Sequence, residues 1–214
     1  MIYYILWILN FIITKTAFKP IINGRENIPK KGGAVIAADH SDISDPLFLC
    51  MSTKRRLYYY VTHFYYIGEG GPVYHRFAFI LRWTNQIPVI IGKSKSDIFI
   101  DKAVDLISKG RLFVIFPEGT TKGGEEFTTI HRGVARIALK AKVPVIPIGI
   151  INTEGILPKG KGFFQKYPKV KVNIGKPLYY GKYYGKHNDK KITKLVANDV
   201  MKHIKKLCNE AKSL

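Results

Sequence analysis

The residue types best suited to chemistry in this sequence lie in one short stretch, from His40 to Asp45. The apolar run 34–38 precedes it, so we expect His40 to lie where a buried strand ends and a loop begins, a frequent position for catalytic residues. Five positions on a continuous helix would put the histidine and Asp45 on different faces, so the two can meet only across a turn. Asp42 is an alternative partner for the histidine.

A carboxylate bound to one ring nitrogen of His40 would fix the imidazole tautomer. The second nitrogen would then be free to accept a proton from a hydroxyl group, as in acyl transfer. The same residue types also occur at helix N-termini, because Asp and Ser are preferred caps. The stretch alone therefore leaves two interpretations open, a catalytic base and a helix cap beside an ordinary loop histidine.

Strand-like and helix-like segments alternate along the chain, which favours an α/β fold. Strands are predicted in 20–33 and at 34–39, 57–61, 87–91, 112–116, 143–150 and 170–174, and helices at 46–51, 72–83, 96–109, 130–141 and 190–207. The run 112–116 is continuously apolar, as in a strand that is covered on both faces. We expect one domain with a mixed, mostly parallel sheet flanked by helices.

A second cluster of candidate site residues follows the strand predicted at 112–116, in the order Pro117, Glu118, Gly119 and Thr120. The proline and the glycine restrain the backbone around the carboxylate. Open α/β sheets bind ligands beyond the carboxyl ends of their strands, so this cluster is a candidate for substrate binding.

The two clusters together resemble the motifs of a known enzyme family. His40 and Asp45 in the spacing His-x-x-x-x-Asp, followed about seventy residues later by 116–120, resemble the glycerolipid acyltransferases, of which lysophosphatidic acid acyltransferase is the commonest member. Further similar segments are 24–29, 87–89 and 143–147. The likeness covers residues 20–150 in the family's order. Several ordered motifs are more specific than one, and they favour the catalytic interpretation of His40.

The resemblance implies a function for each cluster. His40 would be the general base and Asp45 would orient it, so that an acceptor hydroxyl attacks the thioester of acyl-CoA or acyl-carrier protein without an acyl-enzyme, a metal or a further cofactor. The acceptor would be a lysophospholipid, foremost lysophosphatidic acid, and Glu118, Gly119 and Thr120 would shape its pocket. The alternatives are a lipid acceptor without phosphate, and an ester or thioester hydrolase that uses the same His-Asp pair.

The sequence departs from the family at two positions that bear on the acceptor phosphate. Family members usually have arginine where this chain has Thr121 and Ile91, and those arginines are assigned to the phosphate. An arginine fork binds phosphate with two hydrogen bonds, whereas lysine offers a point charge. The cations that could take over this role are Lys122, Lys93 and Arg82.

The first nineteen residues begin with the apolar run 1–13 and carry no charged side chain before Lys15. The segment is shorter than the roughly 20 apolar residues that cross a bilayer, and it lacks the basic start and the cleavage site of a signal peptide. Its aromatic residues, followed by Lys15 and Lys19, are typical of a helix inserted into one leaflet. A buried core helix is the alternative. We expect a membrane-associating helix at 1–19 and an acyltransferase domain at 20–214, at the cytoplasmic face of a membrane.

The net charge of +20 requires an anionic partner. An anionic membrane surface fits, since it attracts surface lysines by about 1 kcal/mol each. Lysines interleaved with tyrosines at 167–184 could instead bind nucleic acid, but no binding motif accompanies them, so we expect no nucleic-acid partner. Cys50 and Cys208 indicate neither a disulfide framework nor a metal site. The histidines other than His40, including His131, are expected to be ordinary polar residues.

Overall fold

A seven-stranded sheet is the centre of the structure, a computed structural model that describes residues 2–69, 72–90, 96–119, 130–157 and 163–212. The strands are β1 Ile21–Asn23, β2 Ala34–Ala38, β3 Leu57–Thr62, β4 Ile87–Val89, β5 Leu112–Ile115, β6 Val145–Ile151 and β7 Lys171–Ile174. Their order in the sheet is β1-β7-β6-β2-β5-β3-β4. β6, β2, β5, β3 and β4 run parallel, β7 is antiparallel to β6, and β1 is parallel to β7. The mixed, mostly parallel sheet expected from the sequence is confirmed.

The helices lie between the strands, as the alternating pattern predicts. They are α1 Ile2–Phe18, α2 Asp45–Cys50, α3 His63–Ile67, α4 Pro72–Trp83, α5 Ser96–Ser108, α6 Gly133–Ala141 and α7 Lys190–Lys212. The sequence did not predict α3, because five residues are too short to show a helical period. The helix expected at 130–141 begins only at Gly133, and α7 extends five residues beyond the predicted end at 207.

The two faces of the sheet are covered by different helices, because successive side chains of a strand point to opposite faces. Val35 and Ala37 of β2 lie in a buried cluster with residues of α5, α6 and α7, and we call this side the α6 face. Ala34, Ile36 and Ala38 lie in a second cluster with residues of α1 and α2, and we call that side the α1 face. Every residue of β2 is buried, so the central strand is covered on both faces.

The strand register brings two loops together at one edge of the sheet. Ala37 of β2 pairs with Ile115 of β5, and Ala38 pairs with Ile148 of β6. Because these strands are parallel, the residues that follow Ala38 and those that follow Ile115 emerge side by side. The sheet therefore places the stretch after residue 38 next to the stretch after residue 115.

Helix α1 lies on the α1 face and contacts α2. The indole Nε1 of Trp7 donates a hydrogen bond to the carbonyl oxygen of Cys50 at 2.7 Å, and the amide of Asn10 donates to the carbonyl oxygen of Leu47 at 2.9 Å. The helix buries Thr14 at this contact. Its other side leaves six large apolar residues 49–56% exposed, namely Tyr4, Ile5, Ile8, Leu9, Ile12 and Ile13. In the described part of the chain, no helix combines the length and the apolarity needed to cross a membrane.

Candidate active site

His40 and Asp45 lie in contact across the turn, as the sequence predicts. The carboxylate Oδ2 of Asp45 is 2.8 Å from Nδ1 of the His40 ring. The Asp45 side chain is fully buried, whereas the His40 side chain is 16% exposed. The Nε2 atom makes no hydrogen bond to any residue that the structure describes. With Nδ1 protonated and bound to the carboxylate, Nε2 can accept a proton from a group that enters the site.

The turn itself holds the Asp45 carboxylate in place. Asp45 is the first residue of α2, and its Oδ2 accepts hydrogen bonds from the backbone N–H groups of Ser41 at 2.8 Å and Asp42 at 2.9 Å. Pro46 follows in the first turn of the helix, where its fixed backbone angle suits the start of a helix. The N-cap position belongs to Ser44, which makes no side-chain cap hydrogen bond. The helix-cap interpretation of Asp45 is therefore wrong, because its carboxylate binds the turn and the histidine.

Asp42, the alternative partner of His40, has a different role. Its carboxylate accepts hydrogen bonds from the backbone N–H groups of Ser44 at 2.8 Å, Gly155 at 3.0 Å and Leu157 at 3.2 Å. Gly155 and Leu157 belong to the loop after β6. Asp42 therefore fastens the His40 turn to that loop, and both of its oxygens are engaged there.

The residues after β5 form the wall beside His40. The His40 ring stacks on the ring of Phe116, with centroids 3.9 Å apart and planes inclined by 14°. Oε1 of Glu118 accepts a hydrogen bond of 3.3 Å from the backbone N–H of His40, and the Glu118 side chain is buried. The structure thus brings His40, Asp45 and Glu118 to one place at the carboxyl edge of the sheet, where open α/β sheets bind ligands.

Gly119 and His131 also lie together. Gly119 has a φ of +79°, and a Cβ at this position would come within 2.7 Å of Cδ2 and 2.8 Å of Nε2 of His131. Only glycine combines this backbone conformation with this close approach. His131 follows a segment of ten residues outside the described part, and its backbone N–H donates to the carbonyl oxygen of Pro117 at 2.7 Å. The sequence predicts only an ordinary polar residue at His131, since the return of the chain is what places its ring beside Gly119.

Of the remaining candidate residues, the structure describes Arg82, and it does not bring this side chain to the cluster. Arg82 is exposed in the last turn of α4, before edge strand β4. Two strands separate β4 from β2, which puts β4 roughly 14 Å from β2 at about 4.8 Å per strand. The structure shows no contact between Arg82 and the His40–Asp45 pair. Thr120, Lys122 and Lys93 lie outside the described residues.

The serine and cysteine side chains near His40 are hydrogen-bonded elsewhere or buried. The Ser41 hydroxyl donates to Asp39 at 3.1 Å, and Ser44 is fully buried. Cys50, at the far end of α2, lies 3.9 Å from the Tyr59 hydroxyl, and burial raises the pKa of its thiol to about 11. The thiol is therefore protonated at neutral pH and a poor nucleophile. Among the residues described, no three His, Cys, Asp or Glu side chains surround a possible metal position.

Comparisons with known proteins agree with this geometry. A family model described as Acyltransferase matches residues 19–151. The 1-acyl-sn-glycerol-3-phosphate acyltransferase of Borreliella burgdorferi is 27% identical over 153 residues, which are 66% of this chain and 54% of that protein. The chloroplastic 1-acyl-sn-glycerol-3-phosphate acyltransferase LPAT1 of Arabidopsis thaliana is 25% identical over 168 residues, which are 77% of this chain and 45% of that protein. The chain thus spans about half the length of these curated relatives.

A solved structure shares the fold. The crystal structure of the 1-acyl-sn-glycerophosphate (LPA) acyltransferase PlsC from Thermotoga maritima superposes with a TM-score of 0.72 at 22% sequence identity, over 97% of this chain and 80% of that chain. The family model spans the His40 turn, the Glu118 wall and the strands that position both. The chain therefore belongs to the acyltransferase family.

Proposed function

We propose that this protein transfers a fatty acyl group from a thioester donor, acyl-CoA or acyl-carrier protein, to the free hydroxyl of a lysophospholipid. The observation that carries the proposal is the contact of His40 Nδ1 with the buried Asp45 carboxylate at 2.8 Å, with the ring still 16% exposed. Membership of the acyltransferase family supports acyl chemistry at this pair.

His40 acts as the general base in this mechanism. Nε2 takes the proton of the acceptor hydroxyl while the hydroxyl oxygen attacks the carbonyl carbon of the thioester. The new C–O bond forms, the C–S bond breaks, and the imidazolium returns the proton to the leaving thiolate. Asp45 fixes the ring and stabilises its protonated form during the step. The products are an acylated lipid and a free thiol, and no group besides donor and acceptor is consumed.

Direct transfer fits the surroundings better than an acyl-enzyme. An acyl-enzyme needs a nucleophilic side chain within hydrogen-bond reach of the base. The Cys50 thiol, whose pKa burial raises to about 11, sits at the opposite end of α2 from Asp45. Ser41 donates its hydroxyl hydrogen to Asp39 rather than to His40. The acceptor hydroxyl is therefore the nucleophile in our mechanism.

Lysophosphatidic acid is the acceptor that we propose. Relatives named 1-acyl-sn-glycerol-3-phosphate acyltransferase from a bacterium and a chloroplast support a phosphate-bearing acceptor. Glu118, Gly119 and Thr120 would shape its pocket beside His40. Lys122, Lys93 and Arg82 remain the cations proposed for the phosphate, and of these Arg82 precedes edge strand β4.

Helix α1 attaches the enzyme to the cytoplasmic face of a membrane in our proposal. Its half-exposed apolar side supports shallow insertion into one leaflet, and Lys15 near its end suits the headgroup level. Residues 1–19 would then serve as the membrane-associating segment and 20–214 as the catalytic domain. The net charge of +20 adds attraction to anionic lipid. The acceptor and both acyl chains would stay in the bilayer while the donor's head arrives from water.

A product assay tests this function. Purified protein is incubated with acyl-CoA, or with acyl-carrier protein, and a panel of lysolipids with and without phosphate, and products are identified by mass spectrometry. We expect diacylated phospholipid, foremost phosphatidic acid, together with free thiol. Free fatty acid and thiol without acylated lipid would show a hydrolase instead, and acylation only of phosphate-free acceptors would overturn the lysophosphatidic acid assignment.

A further inference from the structure

A cleft of about 800 Å³ lies between the second half of α1 and the segment that leads into a short 3₁₀ helix, Arg25–Asn27. Three cations line it, Lys15, Lys19 and Arg25. None of the three has a carboxylate partner among the residues described, and no acidic residue is part of the lining. Glu26 is exposed next to Arg25 in sequence but does not line the cleft. The cleft therefore presents three uncompensated positive charges to whatever enters it.

The lining of the cleft also has an apolar part, formed by Phe11, Ile12 and Met51. Phe11 lies on the same helix as Lys15, whose ammonium is 5.5 Å from the centre of the Phe11 ring. Ile12 also belongs to the half-exposed apolar side of α1. The cleft is thus continuous with the surface that we propose to insert into the leaflet. A ligand with an anionic head and an aliphatic part matches both the cations and the apolar residues of the lining.

We propose that this cleft binds the headgroup phosphate of one anionic phospholipid of the bilayer, with the adjoining aliphatic carbons against Phe11 and Ile12. The inference rests on the proposed attachment through α1, which brings Lys15 and Lys19 to headgroup level. Charge complementarity favours an anionic lipid over a zwitterionic one. A zwitterionic headgroup carries its own cation, which the three cations of the cleft would repel. The bound lipid would fix the orientation of the enzyme on the leaflet.

The lipid cleft is distinct from the acyl-transfer site. Met51 follows the last residue of α2, whereas Asp45 is its first residue. At 1.5 Å per residue Asp45 and Met51 lie about 9 Å apart along the helix axis. A lipid whose phosphate contacts Lys15 therefore does not place that phosphate at Nε2 of His40. The cleft holds a membrane lipid while the acceptor occupies the space beside Glu118.

Vesicle binding tests the inference. The full chain is sedimented with vesicles of phosphatidylcholine alone and with vesicles that contain about one third phosphatidylglycerol, at physiological ionic strength. The quantity compared is the ratio of the two partition coefficients. The cleft variant is Lys15→Gln, Lys19→Gln and Arg25→Gln. The matched control removes the same charge from exposed positions of α7 on the α6 face, Lys191→Gln, Lys194→Gln and Lys202→Gln.

We expect the cleft variant to lower the preference for anionic vesicles by about 100-fold, since each cation at the surface contributes about fivefold. The α7 control should lower it less than about fivefold, because its charges lie further than a Debye length from the leaflet. Equal losses in both variants would overturn the inference and show that the overall charge alone acts.

A third variant separates the cleft from a merely basic surface. Thr16 also lines the cleft, and Thr16→Trp would place an indole between the cations and so obstruct the cleft while all three cations remain. We expect this variant to lose most of the preference for anionic vesicles, and an unchanged ratio would overturn the inference. Failure of α1 attachment would appear separately, as no binding to phosphatidylcholine vesicles. Failure of the catalytic proposal would appear only as missing acyl transfer in the product assay.

Discussion

The two faces of the sheet differ in how completely they are covered. On the α6 face, α6 buries five residues completely, Val134, Ala135, Ile137, Ala138 and Leu139. Ion pairs of 2.5 Å, Asp97 with Arg136 and Asp101 with Lys140, join α5 to α6. On the α1 face, α1 leaves one side half exposed, and His40 stacks on Phe116 with part of its ring open.

The difference indicates that the α6 face mainly stabilises the fold, whereas the α1 face lies beside the candidate active site. The α6 face is packed against helices over its length and contributes buried apolar area. The α1 face also has a core, with Phe48 and Leu49 buried, but it keeps exposed apolar surface beside the His40 turn. The lipid acyltransferase that we propose would need such a surface, because its acceptor and product would remain in the bilayer. We therefore expect substitutions on the two faces to have different consequences.

The largest effect is expected at Asp45. Asp45→Asn removes the charge that holds Nδ1 protonated, so we expect kcat for acyl transfer to fall by roughly 10²–10⁴-fold with the fold retained. Asp42→Asn is the matched control, because Asp42 lies in the same turn but binds Gly155 and Leu157 instead of His40. It should cost less than about tenfold. Steady-state kinetics with circular dichroism compares the two, and an equal or reversed ranking would contradict the assignment of Asp45 as the orienting group.

Substitutions on the α6 face should lower the stability of the protein and leave its catalytic rate unchanged. Ile137→Ala leaves a cavity in the α6 face, and we expect the free energy of unfolding to fall by about 2–5 kcal/mol. Ile8 on α1 is half exposed, so Ile8→Ala should change it by less than about 0.5 kcal/mol. Urea unfolding measures both. Similar losses in the two variants would mean that α1 packs as a core helix.

A smaller effect, on the pH dependence of stability, is expected from the Cys50 thiol. The size of this effect reports how well the α1 face shields the thiol from water. Burial raises its pKa from 9.0 to about 11. Between these pH values the unfolded chain loses the thiol proton while the folded chain keeps it, so the free energy of unfolding falls as pH rises, by at most about 1.4 kcal/mol per pH unit. Cys50→Ser should reduce this fall in urea unfolding between pH 9 and 11. Tyr3 and Tyr59 contribute to the fall in both proteins, because burial raises their pKa values as well, and the neighbouring Cys50 adds a smaller increase to both in the wild type. An identical fall of the unfolding free energy in the Cys50→Ser variant would contradict the raised pKa of the Cys50 thiol.

The sequence predicts those parts of this molecule that depend on neighbouring residues. Apolar runs predict the parallel strands, and the spacing of His40 from the acidic residues after it predicts that the histidine can meet a carboxylate across a turn. The choice between Asp45 and Asp42 does not follow, because Asp42 is engaged by Gly155 and Leu157, more than a hundred residues away in the chain. A local sequence pattern cannot predict a contact between residues so far apart in the chain.

The approach of His131 to Gly119 was missed for the same reason. It depends on how the chain returns after residue 119, and the backbone hydrogen bond from His131 to Pro117 fixes that return. The cationic cleft is likewise assembled from α1, the segment 19–25 and the end of α2. Charge counts indicate an anionic partner, but only the packing of α1 on α2 gathers these cations into one place.

The most direct test of the account is the formation of acylated lipid by the His40→Ala variant. Purified variant and wild-type proteins receive acyl-CoA and lysophosphatidic acid, and phosphatidic acid is quantified by mass spectrometry while sedimentation confirms equal vesicle binding. We predict that the variant folds, binds vesicles and forms phosphatidic acid at least roughly 10²-fold more slowly, the loss expected for a missing general base. Wild-type rates of phosphatidic acid formation in the variant would contradict the account.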